Sequence, residues 1–200
     1  MSEAAVTVPD PIACAGFLTL AFVLAGCAHV VWLRSRMSRR FAIPVDCGWR
    51  VRGKRVFGEN KMLRGFIVMI PAAGLSFGFL YLLLRTAAPE LARLLWPLVP
   101  SQYFAVGLLA GSGFMLGELP NSFMKRQFGI EPGRMPLHPA CRPFFFLIDH
   151  LDSIAGMLLA LNLAVTVPVW TCAYVAVFGI VLHCLFSALL FAFGVKERIA

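Results

Sequence analysis

Two aspartates, Asp149 and Asp152, lie three residues apart where a charged loop enters a long apolar stretch. On a helix, this spacing places both carboxylates on one face, where they can hold a divalent metal ion between them. Ionisable groups at a membrane boundary are costly to bury, so they usually have a function. Because the neighbouring loops are rich in Lys and Arg, the pair indicates a metal site that faces phosphate groups.

A second polar group follows another apolar stretch and contains Glu118, Ser122, Lys125 and Arg126. If the chain stays helical beyond Pro120, the hydroxyl and the cations lie within about one turn and can bind a phosphate together. Glu118 stands at the end of a predicted membrane helix, where a carboxylate needs a metal or a cationic partner. An ion pair between Glu118 and Lys125 or Arg126 would explain these residues equally well.

A third group is a basic segment, residues 53–65, in which glycines interrupt cations and an amide just before a predicted helix. Glycine lets backbone N–H groups approach phosphate oxygens, and the positive end of the helix dipole favours the same ligand. The segment matches neither a P-loop nor a dinucleotide-binding G-x-G-x-x-G motif. A cytoplasmic loop bound to anionic lipid head groups is an equally good explanation.

The composition places these groups in a membrane protein. Of the 200 residues, 60% are hydrophobic and 14% are charged, and the mean hydropathy is +0.80. These values lie far outside the range of soluble domains. The formal net charge is +8, but the basic residues are confined to short loops between apolar segments. This pattern indicates a membrane surface or a phosphorylated ligand rather than nucleic acid.

Five apolar segments are long enough to cross a bilayer as helices, which requires about 20 residues each. The sequence therefore predicts an all-α membrane protein with a single integral membrane domain over residues 1–200. A tight turn from Pro168 to Tyr174 must separate the last two segments. The predicted transmembrane helices are approximately residues 12–33, 65–84, 102–117, 151–170 and 171–193.

The distribution of Lys and Arg predicts the orientation of these helices. Basic residues are dense in the loop at 34–64 and recur in the loop at 118–150 and at the C-terminus, whereas none precedes the first helix. The N-terminus is therefore expected outside, with the C-terminus and both basic loops in the cytoplasm. This topology brings the aspartates and both basic groups to the cytoplasmic face of the plasma membrane.

Glycines spaced four residues apart predict how the helices pack. Small residues at this spacing let helix backbones approach closely in lipid. A packing role explains these glycines better than contact with a ligand does. The pairs are Gly74 and Gly78 on the second predicted helix, and Gly107 and Gly111 and then Gly113 and Gly117 on the third.

These groups belong to a longer series of motifs. The series consists of Pro44, Asp46, Gly53-Lys54-Arg55, Gly58-Glu59-Asn60-Lys61, Arg64-Gly65, Ser122, Lys125-Arg126, Phe128-Gly129-Ile130, Pro132-Gly133 and Asp149-His150-Leu151-Asp152. In order and spacing it resembles the CDP-archaeol synthase family, from about residue 40 to the end of the chain. Members of that family are integral membrane, CTP-dependent cytidylyltransferases related to phosphatidate cytidylyltransferases.

The resemblance implies a reaction between CTP and a membrane lipid. A lipid phosphate, either an archaeal-type ether lipid phosphate or a phosphatidate, would attack the α-phosphorus of CTP. The products would be a CDP-activated lipid and pyrophosphate. No dedicated general base is required, because a lipid phosphomonoester is already anionic near neutral pH.

The resemblance also implies roles for individual residues. Mg²⁺ is the expected cofactor, held by Asp149 and Asp152 with Glu118 as a third ligand. Asp149, Asp152 and Lys125 would be the catalytic residues. The substrate-binding residues would be Asn60, Lys61, Arg64, Asn121, Ser122, Lys125 and Arg126.

Two alternatives stay open at this point. Aspartate is usual in the family where Glu59 and Glu118 stand, and lysine is usual where Asn121 stands. A divergent, inactive membrane interaction protein of the same fold is therefore the first alternative. A small transporter is the second, although spans that are nearly free of charge and lack an internal repeat disfavour it.

Overall fold

The long apolar runs fold as helices, because a helix satisfies its backbone hydrogen bonds internally. The computed structural model describes residues 8–132, 134 and 138–193. Within them, five helices are long and apolar enough to cross a membrane, in agreement with the predicted all-α class. The helices are α1 (Pro11–Arg34), α2 (Leu63–Ala87), the short α3 (Pro89–Arg93), α4 (Pro100–Gln127), α5 (Arg142–Asn162) and α6 (Val169–Ala192).

Short elements connect the long helices. Two 3-10 helices cover Met37–Phe41 and Pro139–Cys141. A two-stranded antiparallel hairpin, β1 (Arg50–Val51) and β2 (Lys54–Arg55), lies between α1 and α2. The chain termini, on which part of the predicted orientation rests, lie outside the described residues, as does Gly133 of the motif series.

The third membrane helix is longer than predicted, since α4 continues past residue 117 to Gln127. Pro120 removes one backbone donor without ending the helix, and polar side chains after it bond to α5. The helix α5 begins at Arg142, so Asp149 and Asp152 lie inside it rather than at its entry. Much of the segment predicted as a loop at 118–150 is therefore helical.

The connection between the last two membrane helices lies earlier than predicted. The helix α5 ends at Asn162 and α6 begins at Val169, so Tyr174 lies within α6 and not in a turn. Asn162 Nδ2 donates to the Leu158 carbonyl oxygen at 2.8 Å, and its Oδ1 accepts from the Val167 N–H at 3.2 Å. This amide closes the end of α5, although the apolar character of the sequence continues through the connection.

Glycines let α4 lie directly against α2 and α5. A Cβ on Gly107 would lie 2.7 Å from the Ala73 carbonyl oxygen of α2, and a Cβ on Gly117 would lie 2.4 Å from the Asp152 carbonyl oxygen of α5. Gly156 of α5 faces α4 in the same way. The predicted packing role of the glycines on α4 is confirmed. The helix α4 is thus central, while α1 packs on α2 and α6, and α6 also contacts α5.

Apolar and polar side chains occupy opposite ends of α4. Near the N-terminus of α4, Tyr103 is buried and its hydroxyl donates to the Trp96 carbonyl oxygen at 2.8 Å. Phe17 and Phe77 pack edge to face beside it, with ring centroids 5.2 Å apart. The C-terminal part of α4 instead carries the buried Asn121. The polar groups of the sequence therefore gather at one end of the bundle.

The segment between α1 and α2 returns on itself and is called here the 44–62 loop. At its base, the Val45 N–H donates to the Lys61 carbonyl oxygen at 2.8 Å, and Pro44 and Met62 form an isolated antiparallel bridge. The β1–β2 hairpin extends from this base. Both ends of the loop are therefore held together where α2 begins.

Asp46 is the anchor of the 44–62 loop. Its fully buried side chain accepts hydrogen bonds from the N–H groups of Gly48, Phe57 and Gly58, each at 3.1 Å. Arg55 adds an ion pair at 2.5 Å. Burial alone would raise the pKa of Asp46, but the Arg55 guanidinium and the backbone N–H groups hold that pKa well below its ordinary value. The Asp46 carboxylate therefore stays charged and keeps the loop folded.

Replacing Asp46 with Asn should loosen the 44–62 loop, because the donors around the side chain then lose a charged acceptor. We expect a loss of about 1–3 kcal/mol of stability and faster amide exchange across the loop. Hydrogen exchange and thermal unfolding of the detergent-solubilised protein measure these effects. Glu59→Gln removes a carboxylate whose side chain is 73% exposed and should change stability by less than about 0.5 kcal/mol. Equal effects of the two substitutions would contradict the anchoring role.

The same carboxylate predicts a pH dependence. Because the folded pKa of Asp46 lies below its ordinary value, its contribution to stability is complete above that ordinary value. The contribution is lost only as the pH falls towards the folded pKa. Protection factors in the 44–62 loop, which are corrected for the intrinsic pH dependence of amide exchange, should therefore fall in strongly acidic buffer in the wild type, and this acid-induced fall should be absent from Asp46→Asn.

Candidate active site

Asn121 joins the two aspartates that the sequence singled out. Its Nδ2 donates to Asp149 Oδ1 at 2.6 Å and to Asp152 Oδ2 at 2.8 Å. The side chain can reach both because the glycine contact brings α4 directly against α5. Asp149 and Asp152 point to the same face of α5, as their spacing predicted. One amide on α4 therefore brings both carboxylates to a single point between the helices.

Lys125 lies one turn beyond Asn121 and forms an ion pair with Asp149. Its ammonium group also lies 5.8 Å from the centroid of the Phe145 ring, a cation–π geometry. The lysine side chain is only 14% exposed, so it is largely shielded from solvent. Asp149 is therefore neutralised by a partly buried cation from the neighbouring helix.

Glu118 is held by partners from two other elements. Lys61, from the end of the 44–62 loop, forms an ion pair with it, and the Ser153 hydroxyl of α5 donates to its Oε1 at 2.9 Å. Burial would lower the pKa of Lys61, but the Glu118 carboxylate beside it raises that pKa above its ordinary value. Lys61 is therefore charged. The predicted ion pair of Glu118 exists, but its cation is Lys61, which is 57 residues away in sequence.

Ser153 is a site residue that the sequence analysis missed. The residue is fully buried, and its Oγ also lies 3.2 Å from Asp152 Oδ1. It thereby connects Glu118 of α4 with Asp152 of α5. A serine beside an aspartate is too common to indicate this role, and the pairing depends on a residue of another helix. Knowledge of how α4 faces α5 was needed to find it.

These contacts form one continuous set of side chains, called here the acidic network. Within it, the carboxylates outnumber the ammonium groups by one, so the network carries excess negative charge. Such an excess suits an additional cation. The network runs in the order Lys61, Glu118, Ser153, Asp152, Asn121, Asp149 and Lys125.

The donor set of the network fits a hard cation, with two carboxylates as its centre. Asp149 and Asp152 share a partner, and Asn121 Oδ1 is buried without a hydrogen bond from the described residues. Carboxylate and amide oxygens are the ligands that Mg²⁺ and Ca²⁺ prefer. No group of three or more Asp, Glu, His or Cys side chains in the described part of the chain is close enough to hold a metal. Glu118 stands one hydrogen-bond step away, through Ser153.

The other predicted substrate-binding residues are not members of the network. Ser122 is buried on α4, Arg64 is half-buried at the start of α2, and Asn60 is exposed on the 44–62 loop. Among the described residues, none of these three side chains bonds to the acidic network. Arg126 follows Lys125 directly, and its Nε and Nη1 atoms are buried without a hydrogen-bond partner within the described ranges.

Five membrane-length helices that enclose a network of carboxylates, lysines and an amide define a polytopic membrane protein with a site suited to phosphate chemistry. A sequence model of the CarS-like CDP-archaeol synthase family matches residues 36–199. The chain therefore belongs to the CDP-archaeol synthase family. Membership makes it an enzyme of the CTP-dependent cytidylyltransferase class, as the motif series predicted.

Individual relatives support this assignment. A CDP-archaeol synthase of Halobacterium salinarum is 33% identical over 163 residues, which cover 78% of this chain and 82% of the relative. One from Methanoculleus marisnigri is 28% identical over 163 residues, with 77% and 87% covered. A solved structure, described as an intramembrane enzyme for archaeal membrane lipid biosynthesis, superposes with a TM-score of 0.52 at 28% identity. That match covers 84% of this chain and 88% of the solved one.

Gly117→Ala should separate α4 from α5 and so disrupt the acidic network. The added methyl group would lie 2.4 Å from the Asp152 carbonyl oxygen. Because this oxygen belongs to the backbone of α5, the clash can be relieved only if one of the two helices moves. Because a displacement of about 1 Å can cost about 100-fold in rate, we expect a loss of that order in cytidylyltransferase activity. Gly16→Ala on α1 is the matched control, since a Cβ there meets nothing within 4 Å. Full activity of Gly117→Ala would contradict the packing argument.

Ser153→Ala should weaken the link between Glu118 and Asp152 while leaving the fold intact. Loss of one hydrogen bond to a charged group costs about 1.5–3 kcal/mol, so we expect at least about a tenfold fall in kcat/KM. Ser112→Ala is the control, because within the described ranges the Ser112 hydroxyl bonds only to the Leu108 carbonyl oxygen of its own helix, at 2.8 Å. If both substitutions reduce kcat/KM equally, Ser153 has no special role in the site.

Proposed function

We propose that this enzyme transfers the cytidylyl group of CTP to the phosphate of an archaeal-type ether lipid, with release of pyrophosphate. The observation that carries the proposal is the junction of Asp149 and Asp152 at Asn121, flanked by Lys125, in a chain of the CDP-archaeol synthase family. The names of the relatives support the archaeal lipid phosphate as substrate. Phosphatidate is a related candidate substrate, so an activity test must distinguish it from the archaeal-type lipid phosphate.

The chemistry requires charge neutralisation and alignment more than proton transfer. An oxygen of the lipid phosphate forms a bond to the α-phosphorus of CTP. The bond from that phosphorus to the oxygen bridging the β-phosphorus breaks, and its electron pair leaves with pyrophosphate. Phosphoryl-type transition states are stabilised mainly by positioning and by positive charge. The attacking phosphate is already anionic near neutral pH, so no general base is assigned to the chain.

The proposed roles follow from the contacts of each residue. Asp149 and Asp152 would hold Mg²⁺, with Asn121 positioning the pair. Glu118, expected from the sequence as a third ligand, lies one hydrogen bond further away through Ser153 and would support Asp152 from there. Bound Mg²⁺ would supply charge neutralisation at the phosphates. Lys125, which lies beside Asp149, would offer its ammonium group to a phosphate oxygen. Lys61 would keep Glu118 in place from the 44–62 loop.

We further propose that the network faces the cytoplasm, where CTP is available. The dense basic residues of 34–64 support this orientation through the positive-inside tendency. The 44–62 loop lies against the C-terminal end of α4, since the Lys54 ammonium donates to the Gln127 carbonyl oxygen at 2.5 Å. The basic loop and the acidic network therefore share one end of the bundle. The same residues would place the N-terminus outside.

Asp152→Asn tests the proposed function directly. Purified protein is incubated with labelled CTP, Mg²⁺ and a panel of ether and ester lipid phosphates, and formation of the CDP-lipid is followed. Wild type should prefer the archaeal-type phosphate and should lose activity when EDTA removes Mg²⁺. Asp152→Asn should lose at least about 100-fold, because it removes a charge at the reacting phosphates.

Asp10→Asn is the matched control for that substitution. Asp10 caps α1 by accepting the Ile12 and Ala13 N–H groups, and Asn is an equally good capping residue. It should therefore retain full activity. Absence of CDP-lipid from every lipid phosphate would refute the proposed function and favour an inactive member of the family. Full activity of Asp152→Asn would refute the site assignment alone.

A further inference from the structure

Three buried nitrogen donors at the end of α4 have no acceptor among the residues that the structure describes. Arg126 Nε and Nη1 and Gln127 Nε2 are all buried, and none has a hydrogen-bond partner within the described parts of the chain. Buried donors in native proteins are almost always satisfied, and an unsatisfied one points to a missing water, ion or ligand. Since these donors sit on consecutive residues, a ligand with several oxygen atoms could satisfy them together.

The 44–62 loop covers these donors. A Cβ on the buried Gly58 would lie 3.4 Å from Arg126 Cδ and 3.6 Å from Arg126 Nε, so the loop backbone rests on the arginine side chain. Lys54 donates to the Gln127 carbonyl oxygen at 2.5 Å and brings another positive charge to the same place. The loop is in turn held by Asp46. The donors therefore lie beneath a folded loop that also brings the Lys54 cation to the end of α4.

Two nearby carboxylates do not satisfy the donors of Arg126. Asp149 and Glu131 act electrostatically on Arg126. Asp149, however, is paired with Lys125, and Glu131 is paired with Arg134 at 2.9 Å. Neither ion pair includes Arg126, and its Nε and Nη1 atoms have no hydrogen-bond partner among the described residues. The end of α4 therefore presents the paired acidic network and, beside it, donors of Arg126 and Gln127 that no described residue satisfies.

Resting on the proposed function, we infer that Arg126 and Gln127 bind the β- and γ-phosphates of CTP, the part released as pyrophosphate. The inference adds Gln127 as a substrate-binding residue. The lipid phosphate is tied to the membrane by its chains, whereas the donors lie in the last turn of α4, under a polar loop. A soluble polyphosphate suits that position. The guanidinium offers two donors to neighbouring oxygens, and the amide adds a third.

The test replaces the amide of Gln127 by a side chain of similar length. Gln127→Met removes the donor, and Gln127→Glu replaces it with a negative charge. Inorganic pyrophosphate is the probe, used both in direct calorimetric binding and as an inhibitor of CDP-lipid formation. We expect Gln127→Met to weaken pyrophosphate binding and raise the KM for CTP about tenfold, with the KM for lipid phosphate within about twofold of wild type. Gln127→Glu should weaken both further.

Stability distinguishes ligand binding from a structural role. Because the Gln127 Nε2 donor has no partner among the described residues, Gln127→Met should unfold at the wild-type temperature or above it. Pyrophosphate should raise the unfolding temperature of wild type more than that of the variant. Arg50→Gln removes an exposed hairpin cation and is the control for general electrostatic attraction. It should leave pyrophosphate binding unchanged.

Three results would overturn the inference. The first is wild-type pyrophosphate binding by both Gln127 variants. The second is a rise in the KM for lipid phosphate in place of that for CTP, which would assign the donors to the lipid. The third is an equal loss of pyrophosphate binding in Arg50→Gln. Failure of the proposed function is a separate outcome, in which the wild-type protein makes no CDP-lipid. Calorimetry would still show whether pyrophosphate binds to the protein and whether the Gln127 variants bind it more weakly.

Discussion

The backbone contact between α4 and α5 is the constraint on which the site depends. Gly117 and Gly156 leave no side chain between the two helices at the level of Asp152. At that separation a side chain as short as Asn121 reaches both carboxylates of α5. Helices at the usual interaxial distance of about 8–10 Å carry larger side chains at their contact, which would separate the amide from the carboxylates. Packing and chemistry therefore share the same few residues.

The ion pair of Glu118 inside the bundle also depends on the 44–62 loop outside it. Asp46 fixes the 44–62 loop, the loop ends at Lys61, and Lys61 pairs with Glu118 inside the bundle. Buried charges are tolerated when they are paired, and removing one partner leaves the other at high cost. The order of an outer loop therefore determines whether a carboxylate between the helices has its counterion. The same loop also covers the Arg126 and Gln127 donors.

Local spacing was enough to predict some of the site and none of its long-range pairs. The common face of Asp149 and Asp152 follows from helix geometry, and the role of Gly117 follows from its spacing. The sequence left the extension of α4 past Pro120 open, because a proline in a polar segment often marks a helix end, whereas the contacts made by the extended part of α4 are with α5. Pairing between Lys61 and Glu118 needs the tertiary arrangement, which no local pattern contains.

The pairing within the acidic network has a consequence for how the protein is made. Each carboxylate of the network already has a lysine, amide or hydroxyl from the same polypeptide against it. A newly synthesised chain thus carries most of its own counterions into the bilayer, and assembly of the helices does not have to wait for a ligand. Binding of Mg²⁺ and phosphates at the network, as proposed, would exchange some of these internal partners for external ones.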